Sequence, residues 1–386
     1  MKSGITKLHY KKNLTLLDFI VLLLLLPASF VYACVVGVRA FLYKIKILRS
    51  YKAEAYTISV GNLTTGGVGK TPIVKELANF YISRGEKVAI LSRGYGGKLS
   101  NKNINVISDG NEILHNAADA GDEPYWLALN CPKCVVLTSK DRAAAAKYAV
   151  KKFGCTKLIL DDGYQYMRLK RDLNILITDY EKRFGNNLPL PAGPLRELKI
   201  GIKRADKIIV VNKTANVTDA ENYCKELENK YKKSVTLANM EFDFIYSLTK
   251  NVNEIVTQLI KQGTVRQRRE PMNKTRLCRV LAFCAIAQPQ QFFNQLEENG
   301  HEVAITKIFD DHHLYTKEDL DELNRIADSN NVDYLITTEK DGVKIKELLG
   351  QTANIKRDLL IVKLQTNFTI EGLADEQKTQ NSCNQV

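Results

Sequence analysis

The clearest chemistry in the sequence lies in seven residues between an apolar run and a helical pattern: Gly66-Gly67-Val68-Gly69-Lys70-Thr71-Pro72. Glycines at 66, 67 and 69 let backbone N–H groups turn inward around an anion. The start of the following helix adds partial positive charge. Lys70 has the reach to meet β- and γ-phosphates, and the Thr71 hydroxyl is a ligand type for Mg²⁺. The usual phosphate-loop spacing, G-x-x-x-x-G-K-[ST], would put glycine where this chain has Thr64. The strand–loop–helix setting carries the assignment despite that departure. Thr64, Thr65, Gly66, Gly67, Val68, Gly69, Lys70 and Thr71 form the expected nucleotide-binding loop.

A second element follows at KLILDDG, residues 157–163. An apolar strand ending in acids is where a carboxylate holds the metal on a bound nucleotide. Paired acids also end strands in α/β proteins that bind no nucleotide, so the upstream loop decides the reading. Thr71, Asp161 and Asp162 are the candidate Mg²⁺ ligands, and residue type does not choose between the two acids. Asp122, in GDEPYW, opens a helical pattern, where an acid commonly serves as a cap.

Elements that position these residues are legible as alternating apolar runs and helical patterns. AYTISVGN, VAILS, CVVLT, KLILD, NILITD and KIIVVNK read as strands. KTPIVKELANFYISRG, GDEPYWLALN and DRAAAAKYAVKKFG read as helices between them. That alternation implies a P-loop-type α/β fold, a mostly parallel sheet flanked by helices. The pattern loosens after Asn212. A second, smaller α/β unit then starts at RVLAFCAIA and runs through PQQFFNQLEENG, EVAITKIF, KEDLDELNRIADSNN, DYLITT and LLIVKLQ. The expected division is 1–50, a membrane helix with its basic flank; 51–215, the P-loop domain; 216–276, a linker with a basic insertion; 277–371, the second α/β domain; and 372–386, a polar tail.

The chain has 386 residues, 45% apolar and 26% charged, which excludes global disorder and suggests two to three domains. Its +13 net charge is concentrated in two places: residues 1–50 carry +7 and residues 261–279 carry +6. A nucleic-acid enzyme more often spreads positive charge over its folded body. Two basic patches, one beside an apolar run, fit an anionic membrane surface, with no nucleic-acid partner. The stretch 261–276 reads as a loop, either simply solvated or in contact with lipid head groups. Eight cysteines are too few for a disulfide scaffold, and Cys131-Pro-Lys-Cys134 has no second pair to complete a zinc site. The cysteines read as thiols of a reducing cytosol.

Phe19 to Val38 is a charge-free run of 20 residues. A helix of that length is about 30 Å, the thickness of a bilayer core. An uncleaved membrane anchor is expected. Four lysines precede the run and four Lys/Arg follow it, so charge does not specify orientation. With Pro27 in mid-run, a kinked or in-plane helix with both ends on one side stays open.

Taken in order, these segments resemble one family, the tetraacyldisaccharide 4′-kinases, which act on the lipid A precursor. The resemblance rests on SVGNLTTGGVGKTP, SRGYGG (Ser92–Gly97), GDEP (Gly121–Pro124), Asp141-Arg142, LDDGYQ (Leu160–Gln165) and LPAGPLRE (Leu190–Glu197). RADKIIVVNK, AFCAIAQPQQFF, DDHHLY (Asp310–Tyr315) and TTEKDGVK continue it. The family shares the threonine at the unusual loop position. GPLRE and GDEP are the specific part, since general P-loop proteins lack them. Two departures stand out. Tyr166 follows Gln165 where the family usually has histidine, and Cys284-Ala285-Ile286 replaces a small-Gly-Ile segment.

The resemblance implies two α/β domains with the site in the cleft between them. It also implies transfer of the γ-phosphate of ATP, with Mg²⁺, to the 4′-hydroxyl of a tetraacylated glucosamine disaccharide 1-phosphate. The expected setting is the inner membrane, with the catalytic domains on the cytoplasmic side. The partners implied are that acylated lipid and the membrane surface; oligomeric state is left open. By the same resemblance Asp122 is the catalytic base and His312 its partner, His313 being the adjacent competitor, while Lys70 acts on the transferred phosphoryl group. Tyr95, Arg142 and Gln165 are the expected substrate contacts, and Arg93 and Arg196 are further candidates for a phosphate. Glu339-Lys340-Asp341 matches a family motif without an assigned role. The competing reading is a membrane-associated partitioning-type ATPase, whose GGVGKT loop looks alike. Those proteins usually carry Lys before the two glycines, where this chain has Thr65, and they lack GPLRE and the long apolar N-terminus. A non-catalytic membrane scaffold with a relic phosphate loop is a third reading, opposed by the intact Lys70, Thr71, Asp161 and Asp162.

Overall fold

The computed structural model describes residues 8–11, 13–101, 103–214, 216–248, 279–349 and 355–370. The basic stretch 261–276 and the polar tail from Gly372 lie outside the described residues.

The apolar run forms α1 (Leu16–Lys44), a 29-residue helix that continues through Pro27. Thr15 caps it: its hydroxyl accepts the Asp18 amide, and the Asp18 carboxylate accepts the Thr15 amide at 2.7 Å. The helix is long and apolar enough to cross a membrane, but it also touches the body of the protein. Leu22 and Ser29 are buried and Leu25 is partly covered. The Ser29 hydroxyl accepts the Ala192 amide at 2.8 Å, and the Tyr32 hydroxyl donates to the Arg196 carbonyl at 2.9 Å. Positions 22, 25, 29 and 32 recur at alternating three- and four-residue steps, so they form one stripe on one face. Leu17, Leu24, Val31 and Val38 lie on the opposite face and are exposed.

The other described residues build one twelve-stranded sheet with the order β10-β9-β11-β12-β8-β7-β6-β1-β5-β2-β4-β3. The first array is β1 (Tyr56–Asn62), β2 (Val88–Ser92), β3 (Asn105–Asp109), β4 (Val135–Thr138), β5 (Lys157–Asp161), β6 (Leu173–Asp179) and β7 (Lys207–Asn212). It is parallel except for β3, an antiparallel edge on β4. Its helices are α2 (Lys70–Ser83), α3 (Ala117–Ala120), α4 (Asp122–Asn130) and α5 (Arg142–Phe153). Alternation along β5 shows how the layers pack. Ile159 faces the cluster holding Ile73, Val74 and Leu77 of α2, while Leu158 and Leu160 face the alanine side of α5.

After β7 come α6 (Val217–Tyr231) and β8 (Ser234–Ser247). The second array follows with β9 (Arg279–Cys284), α7 (Pro289–Glu298), β10 (Glu302–Ile308), α8 (Lys317–Ser329), β11 (Tyr334–Thr338), α9 (Glu339–Leu349) and β12 (Leu359–Asn367). The long β8 joins the two arrays. Residues 234–239 pair parallel with β7, and residues 239–247 pair antiparallel with β12.

The strands and helices expected from sequence all form, most within a residue or two of their patterns; β9 stops three residues short of its pattern, at Cys284, and α1 runs three residues before and six beyond its apolar run. Among the described residues, five further elements form that the pattern did not reveal, the one-turn α3 among them. β3 is a short edge, and α6 buries only a narrow strip, Ala220, Tyr223, Cys224 and Leu227. β8 lies in the loosened stretch, where its pairing with β12 is a long-range event. α9 contains Gly342, a poor helix residue. A methyl there would come within 2.6 Å of the end of the Ile361 side chain, so α9 packs closely on β12 at this point. Cys131 and Cys134 are buried free thiols, and burial pushes Cys131 up to about 12, away from a reactive thiolate.

His301, just before β10, is 4% exposed and its Nδ1 has no hydrogen-bond partner. Burial pulls its pKa from 6.5 down to about 4. The unfolded chain therefore takes up this proton first. The stabilising share of neutral His301 is complete above pH 6.5 and fades as pH falls towards 4. His301→Gln should flatten the loss of stability across that window, measured as denaturant midpoint against pH. An unchanged acid slope would assign the loss to other groups.

Candidate active site

Parallel strands of both arrays point their C-terminal ends at one cavity of about 860 Å³. The loops after β1, β2 and β5 line it from the first array, and those after β9 and β11 from the second.

The phosphate loop is gripped from outside. Its backbone turns left-handed at Gly66 and at Gly69, which directly precedes α2. The Thr65 carbonyl accepts from the Tyr10 hydroxyl at 3.2 Å. The Gly67 carbonyl accepts from Lys213 Nζ and Gln288 Nε2, both at 2.9 Å. The Asn62 amide group donates to the Thr64 carbonyl at 2.7 Å. The Thr65 amide is committed to the Pro194 carbonyl at 2.8 Å. Val68 is buried beneath the loop. Lys70 Nζ donates to Asn62 Oδ1 at 3.1 Å and lies 3.5 Å from Asp162. The Thr71 hydroxyl donates to Glu123 at 3.4 Å.

Asp161 and Asp162 end β5 in very different surroundings. Asp162 accepts two bonds from Arg196, at 2.9 and 2.7 Å. Burial opposes its charge, but Lys70 and Arg196 outweigh burial and hold its carboxyl well below the usual range. Asp161 is 2% exposed, its Oδ1 has no partner, and Ser92 approaches Oδ2 only at 3.5 Å. Burial, with Glu123 and Asp162 nearby, raises it to about 7. An orphaned buried carboxylate beside further acids is a site that lacks positive charge. Among the described residues, no three His, Cys, Asp or Glu side chains form a metal cluster. Mg²⁺ needs only one or two carboxylates, completing its shell with phosphate and water oxygens. Asp161 and the Thr71 hydroxyl fit that donor set better than Asp162, which Arg196 already occupies.

Across the cavity, Asp122 opens α4 and meets His312 Nδ1 at 3.0 and 2.9 Å through its two oxygens. Lys344, from α9, lies 3.4 Å away. Burial works against the Asp122 charge, yet His312, Lys340 and Lys344 together hold its carboxyl far below the usual range. The same hydrogen bond raises His312 above 6.5. His313 turns away to Asp319 at 2.9 Å, so of the two adjacent histidines it is His312 that touches Asp122. Tyr95 is exposed, and its ring meets the His312 ring edge-on, with centroids 6.0 Å apart.

Two expected substrate contacts are engaged within the protein. Arg142 is 8% exposed and donates to the Asp161 and Asp162 carbonyls at 3.2 and 3.0 Å. Its guanidinium stacks on Tyr166, 4.3 Å from the ring centre. Gln165 donates to the Asn62 carbonyl at 2.8 Å and to Glu197 at 2.9 Å. Both line the cavity and brace its floor. Tyr166 donates to Asp141 at 2.9 Å and accepts the Ala143 amide at 3.2 Å, so it completes the α5 cap. Ala285 accepts the His312 amide at 3.3 Å and donates its own amide to Asp341 at 3.0 Å, keeping a close backbone approach there without glycine.

Sequence reading missed Glu123, which pairs with Lys340 across the cavity, and it gave Lys340 no role. The adjacent acids of GDEP and the i, i+4 lysines of TEKDGVK were the available signal: one turn of α9 presents Lys340 to Glu123 and Lys344 to Asp122.

Gly97 sets the position of Asp122. A methyl at Gly97 would sit 2.5 Å from the Asp119 carbonyl oxygen and 2.6 Å from the Gly121 nitrogen, both backbone atoms. Gly97→Ala must therefore push the start of α4 aside. A displacement near 1 Å can cost about 10²-fold. Turnover should fall by that order in a protein that still folds by circular dichroism. Normal turnover would show that this contact does not set Asp122.

The model of the tetraacyldisaccharide-1-P 4′-kinase family matches residues 21–381. A tetraacyldisaccharide 4′-kinase of Geobacter metallireducens is 36% identical over 361 residues, covering 94% of this chain and 99% of the relative. One from Halothermothrix orenii is 33% identical over 345 residues, covering 88% of each. The crystal structure of Aquifex aeolicus LpxK in complex with ATP superposes with a TM-score of 0.65 at 27% identity, covering 90% of this chain and 95% of that one. These matches favour the kinase over the partitioning-type ATPase. The chain belongs to the tetraacyldisaccharide-1-P 4′-kinase family, and its reaction is the ATP-dependent 4′-phosphorylation of the lipid A precursor.

Proposed function

We propose that Asp122 receives the proton of the sugar 4′-hydroxyl as that oxygen attacks the γ-phosphorus of ATP, and that His312 takes the proton on. The observation that carries this reading is the Asp122–His312 pair facing the phosphate loop across one cavity. Lys70 and the amides of Gly66 to Gly69 hold the phosphates, and Arg196 keeps Asp162 in place beside Lys70. Asp161 and Thr71 would hold Mg²⁺, which supplies neutralising charge to the phosphates when bound. The aliphatic and aromatic walls of the cavity exclude water and so limit idle hydrolysis.

Asp122 alone is a weak proton acceptor, because its neighbours stabilise its charge. Neutral His312, 2.9 Å away, makes the proton's arrival favourable by becoming imidazolium beside a carboxylate. That relay needs His312 unprotonated at the start. The rate should therefore rise with pH through an apparent pKa above the ordinary 6.5 of histidine. Asp122→Asn removes the acceptor from Nδ1, so it should lower that pKa and reduce kcat by about 10²–10⁴-fold. His312→Gln should abolish the limb with a smaller loss, and the double variant should lose less than the product of the two. The measurement is kcat against pH at saturating ATP and lipid. Unchanged turnover in Asp122→Asn would leave Asp122 as a helix-terminal residue only.

The site also needs its acceptor delivered from a membrane. We infer that α1 lies along the inner membrane surface on the cytoplasmic side, where ATP and reduced thiols are found. Contacts at Leu22, Ser29 and Tyr32 fix the middle of α1 to the 190–196 loop. A helix crossing the bilayer there would drag that polar loop into hydrocarbon, where its backbone groups could not be hydrated. An in-plane pose instead sinks the exposed face carrying Leu24, Val31 and Val38. Replacing those three by serine should move the protein from the membrane fraction to the soluble fraction while soluble ATP binding persists. Retention in the membrane at high salt would place the anchor elsewhere.

A further inference from the structure

The stripe that fixes α1 to the body does not stop at Tyr32. It continues with the same spacing to Val36 and Arg39, and Tyr32, Val36 and Arg39 all line the catalytic cavity. The membrane helix is therefore one wall of the site, and that wall ends in a cation. Arg39 is exposed, and its guanidinium lies 6.0 Å from the Tyr43 ring centre, one turn further on.

Charges of both signs line the cavity. Asp122, Glu123, Asp161 and Asp162 occupy the end where phosphoryl transfer takes place. Four arginines line it: Arg39, Arg93, Arg142 and Arg196. Arg142 is committed to the two carbonyls of the Asp161-Asp162 turn, and Arg196 to the Asp162 carboxylate. Among the described residues, neither Arg39 nor Arg93 has a carboxylate within ion-pair distance. Arg93 lies close enough to Arg142 to repel its charge, and Arg142 holds the Asp161-Asp162 turn, so Arg93 belongs to the catalytic end. Arg39 stands seven residues beyond Tyr32, which is about 10 Å along a helix. The acceptor is long and charged at one end: its 4′-hydroxyl must reach Asp122, and its phosphate lies two sugar rings away.

Resting on the kinase reading above, we propose that Arg39 of α1 binds the 1-phosphate monoester of the acceptor lipid. It thereby selects acceptors that already carry that phosphate and sets which end of the disaccharide enters the site. Val36 offers apolar surface beside it for the first carbons of an acyl chain. In reaction order, the step that supplies this substrate must then leave the anomeric phosphate in place. Arginine suits the task, because its planar fork meets a phosphate through two donors.

The competing source of the same chemistry is the phosphate of a bulk bilayer lipid, and the experiment separates the two. Wild type, Arg39→Gln and Arg39→Lys are assayed with the acylated disaccharide 1-phosphate and with the same lipid lacking the 1-phosphate. Binding to vesicles of phosphatidylethanolamine and phosphatidylglycerol is measured in parallel by sedimentation. Arg39→Gln should raise KM for the phosphorylated acceptor by about tenfold to a hundredfold, the scale of a lost charge-assisted pair, without a matching rise in KM for ATP. Removing the phosphate should cost wild type a similar factor and cost Arg39→Gln no more, with Arg39→Lys between them. Vesicle binding should persist in every variant. If Arg39→Gln still prefers the phosphorylated lipid as strongly as wild type, the inference is overturned while the kinase reading stands. If Arg39→Gln leaves vesicles and loses activity equally with both acceptors, Arg39 is a bulk-lipid contact and the inference is overturned. If wild type phosphorylates neither lipid, the kinase reading falls and this inference falls with it.

Discussion

Four carboxylates, Asp122, Glu123, Asp161 and Asp162, share one partly buried cavity, and their mutual repulsion must be answered by cations from elsewhere in the chain. Burial raises the cost, because a charge removed from water and left unpaired is expensive. The answers come from four segments. Lys70 arrives on the phosphate loop and Arg196 on the 190–196 loop. Lys340 and Lys344 come from α9, and His312 from the loop after β10. Three of the four acids are thereby held ionised. Asp161 is the exception, and its raised pKa marks where positive charge is still owed. The architecture follows from this arrangement: the second array must lie against the first, because it holds the cations that let GDEP exist.

The same constraint explains the strained backbone. Asp162 and His312 both adopt positive φ, at 52° and 66°, without being glycine. Such residues typically cost about 1–3 kcal/mol each and persist only when neighbours over-determine them. Arg196 and Lys70 fix Asp162 from two sides. Asp122 fixes the His312 ring, while the Ala285 carbonyl accepts its amide. Relaxing either turn would break an ion pair inside the cavity.

The apolar helix and the cavity share contacts. Ser29 and Tyr32 of α1 hold the backbone of the 190–196 loop. That loop holds the Thr65 amide through Pro194, and its Arg196 side chain holds Asp162. Immediately before α1, the Tyr10 hydroxyl reaches the Thr65 carbonyl. A helix that only tethered the enzyme would need none of these bonds. Here it is part of the support under the phosphate loop, and its Val36 and Arg39 line the cavity.

Local patterns were enough to read much of this protein from its residues. Gly66 to Thr71 between a strand and a helix, Asp161 and Asp162 at a strand end, and the apolar run from Phe19 are each defined by neighbours in sequence. Their meaning depends on spacing that secondary structure alone preserves. Glu123, Lys340 and Lys344 could not be assigned in that way, since a lysine on a charged helix looks like any solvated lysine. Only folding brings α9 against α4, more than 200 residues away, and turns two surface-like pairs into the clasp of the site. Arg142 and Gln165 show the converse. Their side-chain types suggest phosphate and substrate, and tertiary structure commits them to backbone carbonyls beneath the cavity. Likewise β8, unmarked in the sequence, becomes the strand that joins two arrays, because hydrogen-bond partners in a sheet are set by what lies beside a strand in space.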